Sequence, residues 1–418
     1  MTLQRLAIRD FRSYAEAEVQ LSSGVTVVSG PNGTGKTNLL EAIGYLATLR
    51  SFRGASNEAL TRVGSERAVV RGELLNDARA VLIETEIVPA GRSRTLVNKQ
   101  PLKRTRELAE VVRISVFSPE DLTLVKGGPG ERRDWLDTAL AAQHLRYGAL
   151  LDDVERVLKQ RNALLKQVGT VGRGRLDEAA ALTLDVWDEK LAETGTALVN
   201  ARLALLDALR PALVEAYSDI AESSLQVRVA YGSSWLCQRG AIADSVSDSI
   251  SVSDEGSAAV QIDVLADALA KSRFDDARRG LSMTGPHRDD VLLSLAADGL
   301  VRPSRTHASQ GEQRTLALSM RLAVHRHLTA THGSAPLLLL DDVFSELDPG
   351  RSAALVRHLP IGQAVLATAI AAPVGVRVDA VVDVERTGTV SALFSSKSAG
   401  SVGKPVESVD SFALESMK

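Results

Sequence analysis

Eight consecutive residues, Gly30-Pro31-Asn32-Gly33-Thr34-Gly35-Lys36-Thr37, match the phosphate-loop pattern GxxxxGK[ST] at every fixed position. Their surroundings decide what the match means. Val25, Thr26, Val27 and Val28 form a short β-rich apolar run, the signature of a buried strand. Asn38 to Ile43 place apolar residues on one face of a helix. Strand, glycine loop and helix together are the context in which this motif binds phosphate. The glycines let backbone N–H groups turn toward phosphate oxygens, and the helix N-terminus adds partial positive charge. In such a loop Lys36 reaches the terminal phosphates and the Thr37 hydroxyl coordinates magnesium. A chance glycine-rich turn would leave both flanks unexplained. The loop is expected to hold a nucleoside triphosphate with Mg2+.

The 418-residue length allows two or three domains, each with its own core. A formal net charge of -3 and a pI of about 6.2 do not describe a chain that is basic all over, though they leave room for a local basic face. Cys237 is the single cysteine, so no internal disulfide can form and a cytosolic chain is the natural reading. Met1 to Tyr14 contains no apolar signal core. The weakly polar stretch Ala364 to Val376 is too short to span a bilayer and contains Pro373. The expectation is a cytoplasmic protein without a membrane partner.

Hydrophobic periodicity changes twice along the chain. Leu3 to Ile8, Ala15 to Leu21, Ala68 to Leu74, Ala80 to Val88 and Arg113 to Phe117 have strand character. Glu131 to Val168 and Asp177 to Glu222 have helical spacing, with Pro211 inside the second run. Leu225 to Val229 is a candidate strand, and Val260 to Arg279 a helix. Strand patterns return at Asp290–Leu295, Leu337–Leu340, Ala364–Thr368 and Ala380–Val384. Ser245 to Gly256 is a Ser- and Asp-rich insertion expected to be a solvated loop. The pattern predicts an α/β head built discontinuously from residues 1–118 and 280–390 as a mixed sheet with helices. A mainly helical lobe over 119–279 is inserted into it, and a mobile tail covers 391–418.

A second chemical signal lies far from the first. Pro336-Leu337-Leu338-Leu339-Leu340 leads into Asp341-Asp342, an apolar strand ending in two carboxylates, 305 positions after Lys36. A magnesium–nucleotide site needs an acid at a strand end beside the phosphate loop. Asp341 is the candidate to hold the metal with Thr37, and Asp342 to orient or deprotonate the attacking water. Taken alone, an apolar strand capped by Asp is commonplace; paired with the loop it marks a site. A third signal is Ser309-Gln310-Gly311-Glu312-Gln313 before a helical run. Locally it is a capping box, with Ser309 and Glu312 as the reciprocal pair. A serine and a glycine at a helix N-terminus can also receive an anion.

The order of phosphate loop, Ser309–Gln313 loop, acidic strand and Ser345-Glu346-Leu347-Asp348-Pro349 resembles the SMC and cassette (ABC) ATPases, with their signature loop and D-loop. Five further stretches resemble the RecF family of bacterial recombination mediators. They are Leu6 to Tyr14; Phe117 to Leu122 with Val125-Lys126-Gly127; Leu158 to Lys166; Gly285-Pro286-His287-Arg288-Asp289-Asp290; and Leu340 to Asp348. The resemblance implies an SMC-type P-loop ATPase head with a second helical lobe in place of a long coiled coil. It implies slow ATP hydrolysis with Asp342 and Lys36 as catalytic groups, and an ATP-driven homodimer with Ser309, Gly311 and Asp348 acting in trans. It also implies binding to junctions of duplex and single-stranded DNA, and work with RecO and RecR to load recombinase at gaps. Two features depart from the cassette pattern. Asp342 stands where most members carry Glu, and the strand Gln363 to Thr368 ends in Thr368 rather than in a switch histidine.

Three basic clusters are candidates for DNA contact: Arg92 to Arg106, Arg132 with Arg133, and Arg156, Lys159, Arg161 and Lys166 at helical spacing. The first, with Lys99, Lys103, Arg104 and Arg106, is the densest run without an acid. Few aromatic residues are available, so contact is expected to be electrostatic and largely blind to sequence. The competing readings are another SMC-like ATPase, the nucleotide-binding subunit of a membrane transporter, and a small-molecule kinase. A transporter subunit is usually shorter and carries both the Glu and the histidine, and a kinase needs neither the signature loop nor the D-loop.

Overall fold

Parallel pairing gathers distant parts of the chain into one sheet. In a computed structural model, which describes residues 1–76, 79–171, 177–221, 223–237, 259–359, 362–370, 372–388 and 390–396, the chain divides into two units. The first comprises Met1–Glu120 and Gly333–Lys418, the second Asp121–His332.

Within the first unit the strands Val390–Ser396, Ala380–Thr387, Val25–Ser29, Ala364–Thr368, Leu337–Asp341 and Ile114–Phe117 form a six-stranded sheet in that order. All neighbours are parallel except the first pair, an antiparallel hairpin. Leu337–Asp341 and Ala364–Thr368 are buried at every position, which explains their unbroken apolar sequences. A second, antiparallel sheet runs Tyr14–Gln20, Thr2–Phe11, Ala68–Asn76, Arg79–Ile87, Arg94–Val97, Gln100–Pro101. The helix Lys36–Thr48 shares one core with both. Its Leu39, Leu40, Ile43 and Leu46 cluster with Leu6, Val70 and Ile83 of the antiparallel sheet and with Val28, Leu339 and Val365 of the parallel one. The buried Gln363 amide ties the sheets directly. Its Oε1 accepts from Leu3 N, and its Nε2 donates to the carbonyls of Leu3 and Ser22, each at 2.7 Å.

The second unit holds the helices Pro129–Gln143, Leu145–Val171, Glu178–Ala221, Ile262–Arg279 and Gln310–His332. It also holds a three-stranded antiparallel sheet, Leu300–Pro303, Asp290–Ala297, Gln226–Gly232. Residues 280–332, expected in the head, therefore belong here. Asp290–Ala297 pairs along its length with Gln226–Gly232, and Leu316, Ala317, Met320 and Ala323 of the last helix enter a core with Leu206, Leu209 and Leu213. Two more differences concern the first unit. The expected tail begins as the strand Val390–Ser396, and the basic run after Arg92 contains the hairpin Arg94–Val97/Gln100–Pro101. Ser245–Gly256 and the tail from residue 397 lie outside the described residues.

In the second unit Arg132, Arg133 and Arg161 turn inward, whereas Arg156, Lys159 and Lys166 of the third basic cluster are exposed. Arg132 forms a two-point pair with Asp290 at 2.8 and 2.9 Å, and Arg133 donates to the Asp289 carbonyl at 2.6 Å. Arg161 has no exposed surface and pairs with Asp188 at 2.7 Å and Asp276 at 2.8 Å. Arg132 and Arg161 compensate carboxylates and Arg133 is tied to a main-chain carbonyl, so these guanidiniums are engaged within the unit. In the Gly285–Asp290 run Gly285, Pro286 and Asp289 are buried, while Arg288 is exposed. The buried Arg202 holds Asp137 at 2.7 and 2.8 Å and the Pro286 carbonyl at 2.7 Å. Tyr231 and Trp235 donate to the two oxygens of Asp289 at 2.8 and 2.9 Å.

Burial pushes the Asp289 carboxyl from 3.8 up to about 6, against the hydrogen bonds from Tyr231 and Trp235 and the charge of Arg202. Between those two values the folded protein keeps a proton that the unfolded chain has released. Stability from this group is thus complete below pH 3.8 and lost as pH rises through about 6. Relative to Asp289→Asn, the wild-type unfolding free energy in urea titrations is expected to fall across that window and level off above it. A difference that does not change with pH would contradict the assignment.

Candidate nucleotide site

Strand pairing places the loop and the acids at the same edge of the parallel sheet. Val25–Ser29 and Leu337–Asp341 both flank Ala364–Thr368, with Ser29 level with Thr368 and Asp341 level with Ala367. The carboxyl ends of all three strands therefore open on one side, where ligands bind in sheets of this kind. The helix Lys36–Thr48 starts there, with Gly35 as its N-cap in a left-handed conformation, φ 117°.

Across this edge Thr37 Oγ1 donates to Asp341 Oδ1 at 2.9 Å. Two neighbouring ligands of an octahedral ion with bonds of 2.0–2.1 Å lie about 2.9 Å apart. The hydroxyl and carboxylate thus already have the spacing that Mg2+ requires, and both are hard oxygen donors. Among the described residues no three His, Cys, Asp or Glu side chains form a metal cluster. A cation here would need phosphate oxygens to complete its shell. Burial raises the Asp341 carboxyl to about 6; the Thr37 hydrogen bond and Arg53 oppose this, while the charges of Glu120 and Asp342 add to it.

Lys36 is buried, and its Nζ donates to the Gly30 and Pro31 carbonyls at 2.8 and 3.0 Å. Burial lowers its ammonium, and the charges of Asp342 and Asp341 counter that. The ammonium is held within the loop by two neutral acceptors, which a phosphate can outcompete through a charge-assisted bond. Asp342 is strained and unsatisfied. Its backbone is left-handed, φ 50° and ψ 24°, and among the described residues its buried Oδ1 has no hydrogen-bond partner. An orphaned carboxylate oxygen beside a metal ligand can accept a proton from water.

The other expected site residues fall on helix starts. Ser309 and Glu312 form the capping box, Ser309 N to Glu312 Oε2 at 2.6 Å and Glu312 N to Ser309 Oγ at 3.3 Å. Gly311 lies in the first turn of that helix, in the second unit. In the first unit, Asp348 caps Pro349–His358 by accepting from Arg351 N at 3.0 Å. Thr368 uses its hydroxyl locally, donating to the Ile370 carbonyl at 3.0 Å. Lys99, Lys103 and Arg104 are exposed, with Lys99 in the turn of the edge hairpin; Arg106 is half-buried.

Sequence reasoning missed the residues that grip the loop from behind. Tyr14 Oη donates to the Gly35 carbonyl at 3.0 Å, Ser391 Oγ to the Thr34 carbonyl, and Arg386 Nη1 to the Gly33 carbonyl at 2.7 Å. Tyr14 at least stands in the distinctive opening run. Ser391 and Arg386 carry no local signal, since each sits more than 350 positions from its partner.

The chain matches the family described as RecF/RecN/SMC N terminal domain over residues 2–388. It is 42% identical to the DNA replication and repair protein RecF of Beutenbergia cavernae, covering 89% of this chain and 94% of that one. The RecF of Streptomyces avermitilis is 40% identical over 88% and 93% of the two chains. A solved structure of the recombination mediator protein RecF-ATP in the RecFOR pathway superposes with a TM-score of 0.77 at 30% identity, over 92% of this chain and 95% of that one. An Smc head bound to the C-winged helix domain of ScpA, 15% identical with a TM-score of 0.53, shares the fold over 95% of this chain and 98% of its own. By sequence and by architecture alike, the chain belongs to the RecF family of DNA replication and repair proteins.

Proposed function

We propose that this protein is an ATP-driven DNA-binding switch of replication and recombinational repair. The observation that carries the reading is the Thr37–Asp341 contact, a metal-compatible pair drawn from residues 304 positions apart at the mouth of the phosphate loop. The ATP-bound RecF relative at 30% identity supports the choice of nucleotide. On this reading Gly30, Pro31, Asn32, Gly33, Thr34, Gly35, Lys36 and Thr37 cradle ATP, and Thr37 with Asp341 holds Mg2+. Asp342 orients the attacking water, with Lys36 on the terminal phosphate. A carboxylate one methylene shorter than Glu sits farther from that water, which fits slow hydrolysis serving a conformational cycle. Ser309, Gly311 and Asp348 of one protomer close over the nucleotide of a second, giving a two-fold dimer. The dimer binds duplex and single-strand junctions and acts with RecR and RecO to load recombinase at gaps. A cytoplasmic location fits, since among the described residues no helix is long and apolar enough to cross a membrane.

Sedimentation with and without ATP tests the assembly. A monomer is expected without nucleotide and a dimer with it, and Ser309→Arg is expected to stay monomeric in saturating ATP. If that variant dimerises like wild type, the trans arrangement is wrong.

Lys36→Ala and Asp342→Asn separate binding from hydrolysis. Removing the ammonium is expected to weaken ATP binding by tenfold or more, since hydrogen bonds to charged groups contribute about 1.5–3 kcal/mol. Asn tolerates the left-handed backbone of Asp342, so Asp342→Asn is expected to fold, bind ATP, lose hydrolysis and accumulate as dimer. Equal loss of ATP binding in the two variants would count against these roles.

With Arg132, Arg133 and Arg161 engaged internally, the Arg92–Arg106 surface is the first choice for DNA, and the exposed Arg156, Lys159 and Lys166 are the second. Replacing Lys99, Lys103, Arg104 and Arg106 by Ala is expected to weaken binding equally for unrelated sequences. The slope of log K against log salt should flatten by about 0.9 for each phosphate that the variant no longer neutralises. An unchanged slope, with the ATP-driven dimer intact, would place the DNA elsewhere.

A further inference from the structure

We infer that the C-terminal hairpin, Ala380–Thr387 with Val390–Ser396, is a positioning element of the nucleotide site, acting on the phosphate loop through Arg386 and Ser391. The inference rests on the reading that this loop binds ATP.

The geometry is that of three successive peptide planes. In a trans peptide the carbonyl of one residue and the N–H of the next point in opposite directions within one plane, and the described chain contains no cis bond. Arg386 fixes the Gly33 carbonyl, so the Thr34 N–H faces away from it, toward the Pro31 carbonyl to which it donates at 3.4 Å. Ser391 fixes the Thr34 carbonyl and thereby aims the Gly35 N–H. Tyr14 fixes the Gly35 carbonyl, which also receives the first-turn Leu39 N–H at 3.1 Å, and so aims the Lys36 N–H. The Gly35 and Lys36 N–H groups, aimed in this way, supply the consecutive donors from which a phosphate-binding concavity is made. Two of the three orienting contacts come from the hairpin.

The supporting contacts are themselves ordered. Ser391 is buried and lies 2.8 Å from Ser13 Oγ. Its one proton goes to the Thr34 carbonyl, which can only accept, so Ser13 donates to Ser391 and Asn38 Nδ2 in turn donates to Ser13 at 2.9 Å. Arg386 is exposed, but its Nε is anchored on the Gly388 carbonyl at 3.0 Å within the hairpin turn, which aims the far end of the guanidinium at the loop. The same hairpin dictates two of the glycines. A Cβ at Gly30 would stand 2.3 Å from the Val384 carbonyl oxygen, and one at Gly35 2.6 Å from Ser391 Oγ. Gly33, which faces no such neighbour, has open space around it.

The test uses the full chain and Mg·ATP. Arg386→Ala, Arg386→Lys, Ser391→Ala and the Arg386→Ala/Ser391→Ala pair are titrated with ATP, melted without nucleotide and assayed for hydrolysis. Each Ala variant is expected to bind ATP up to about tenfold more weakly, the range of one missing hydrogen bond, and the double variant more weakly still. The nucleotide-free melting temperature of Arg386→Ala should match wild type, the loss should appear in KM for ATP rather than in kcat, and Arg386→Lys should recover part of it. Wild-type affinity in both folded Ala variants would overturn the role of the hairpin while leaving the functional reading intact. Loss of affinity that tracks a fall in the nucleotide-free melting temperature, without recovery in Arg386→Lys, would also overturn it. Absence of ATP binding by the wild type would overturn the functional reading, and this inference with it.

Discussion

The first unit depends on one short strand. Ala364–Thr368, five buried residues, accepts parallel partners on both edges: the loop strand on one side, the acidic strand on the other. Strands in a sheet lie about 4.8 Å apart, so the loop strand and the acidic strand are held two spacings from each other. A threonine at the start of the helix above can then reach the carboxylate at the far strand's end. A slip of one residue between the acidic strand and Ala364–Thr368 would turn Asp341 to the opposite face. Gln363, just before this strand, guards against such a slip. Its amide binds the Leu3 backbone as another strand would and locks the register to the antiparallel sheet.

The second unit solves a different problem, that of long helices carrying many arginines into a core. Arg132, Arg161 and Arg202 each meet carboxylates from other elements, over sequence distances from 27 to 158 residues. Removing one partner from such a pair is costly because the other charge stays buried. The Gly285–Asp290 run, conspicuous as a motif, is explained within this network. His287 rests on the Ser282 carbonyl at 3.0 Å, and Arg288 on the same oxygen at 3.1 Å.

Legibility followed the range of the interaction. The phosphate loop, the Leu337–Asp341 strand and the Ser309–Glu312 capping box are local patterns, and each stands in the structure where the sequence places it. Partner choice is not local. Nothing in Asp290–Leu295 says that it pairs with Gln226–Gly232 rather than with a head strand, so the boundary expected near residue 280 falls at Gly333 instead. Charge at helical spacing made Arg161 resemble a surface residue, because periodicity does not reveal that Asp188 and Asp276 are waiting inside. The hairpin's first strand was legible at Ala380–Val384, but its second, Val390–Ser396, was hidden in the expected tail for the same reason: its order comes from pairing and from the loop it touches.

The discontinuity of the first unit has a consequence for the way the protein is made. The second unit is one unbroken stretch, whereas the first needs residues from both ends of the chain. Domains generally fold as units during synthesis, so the second can close while the strands that complete the parallel sheet are still on the ribosome. The nascent head until then lacks Leu337–Asp341, Ala364–Thr368 and the hairpin, and Val25–Ser29 has no neighbour on either edge. Long-range parallel pairing is slow and leaves strand edges exposed while it waits. Early folding of the insert shortens that wait by replacing a long flexible connection with a compact body, lowering the entropy cost of bringing the ends together. The sheet edge that carries the Gly30–Thr37 loop is thus among the last parts of the nascent chain to be completed, and a prematurely terminated product holds that loop without Asp341, Asp342, Arg386 or Ser391.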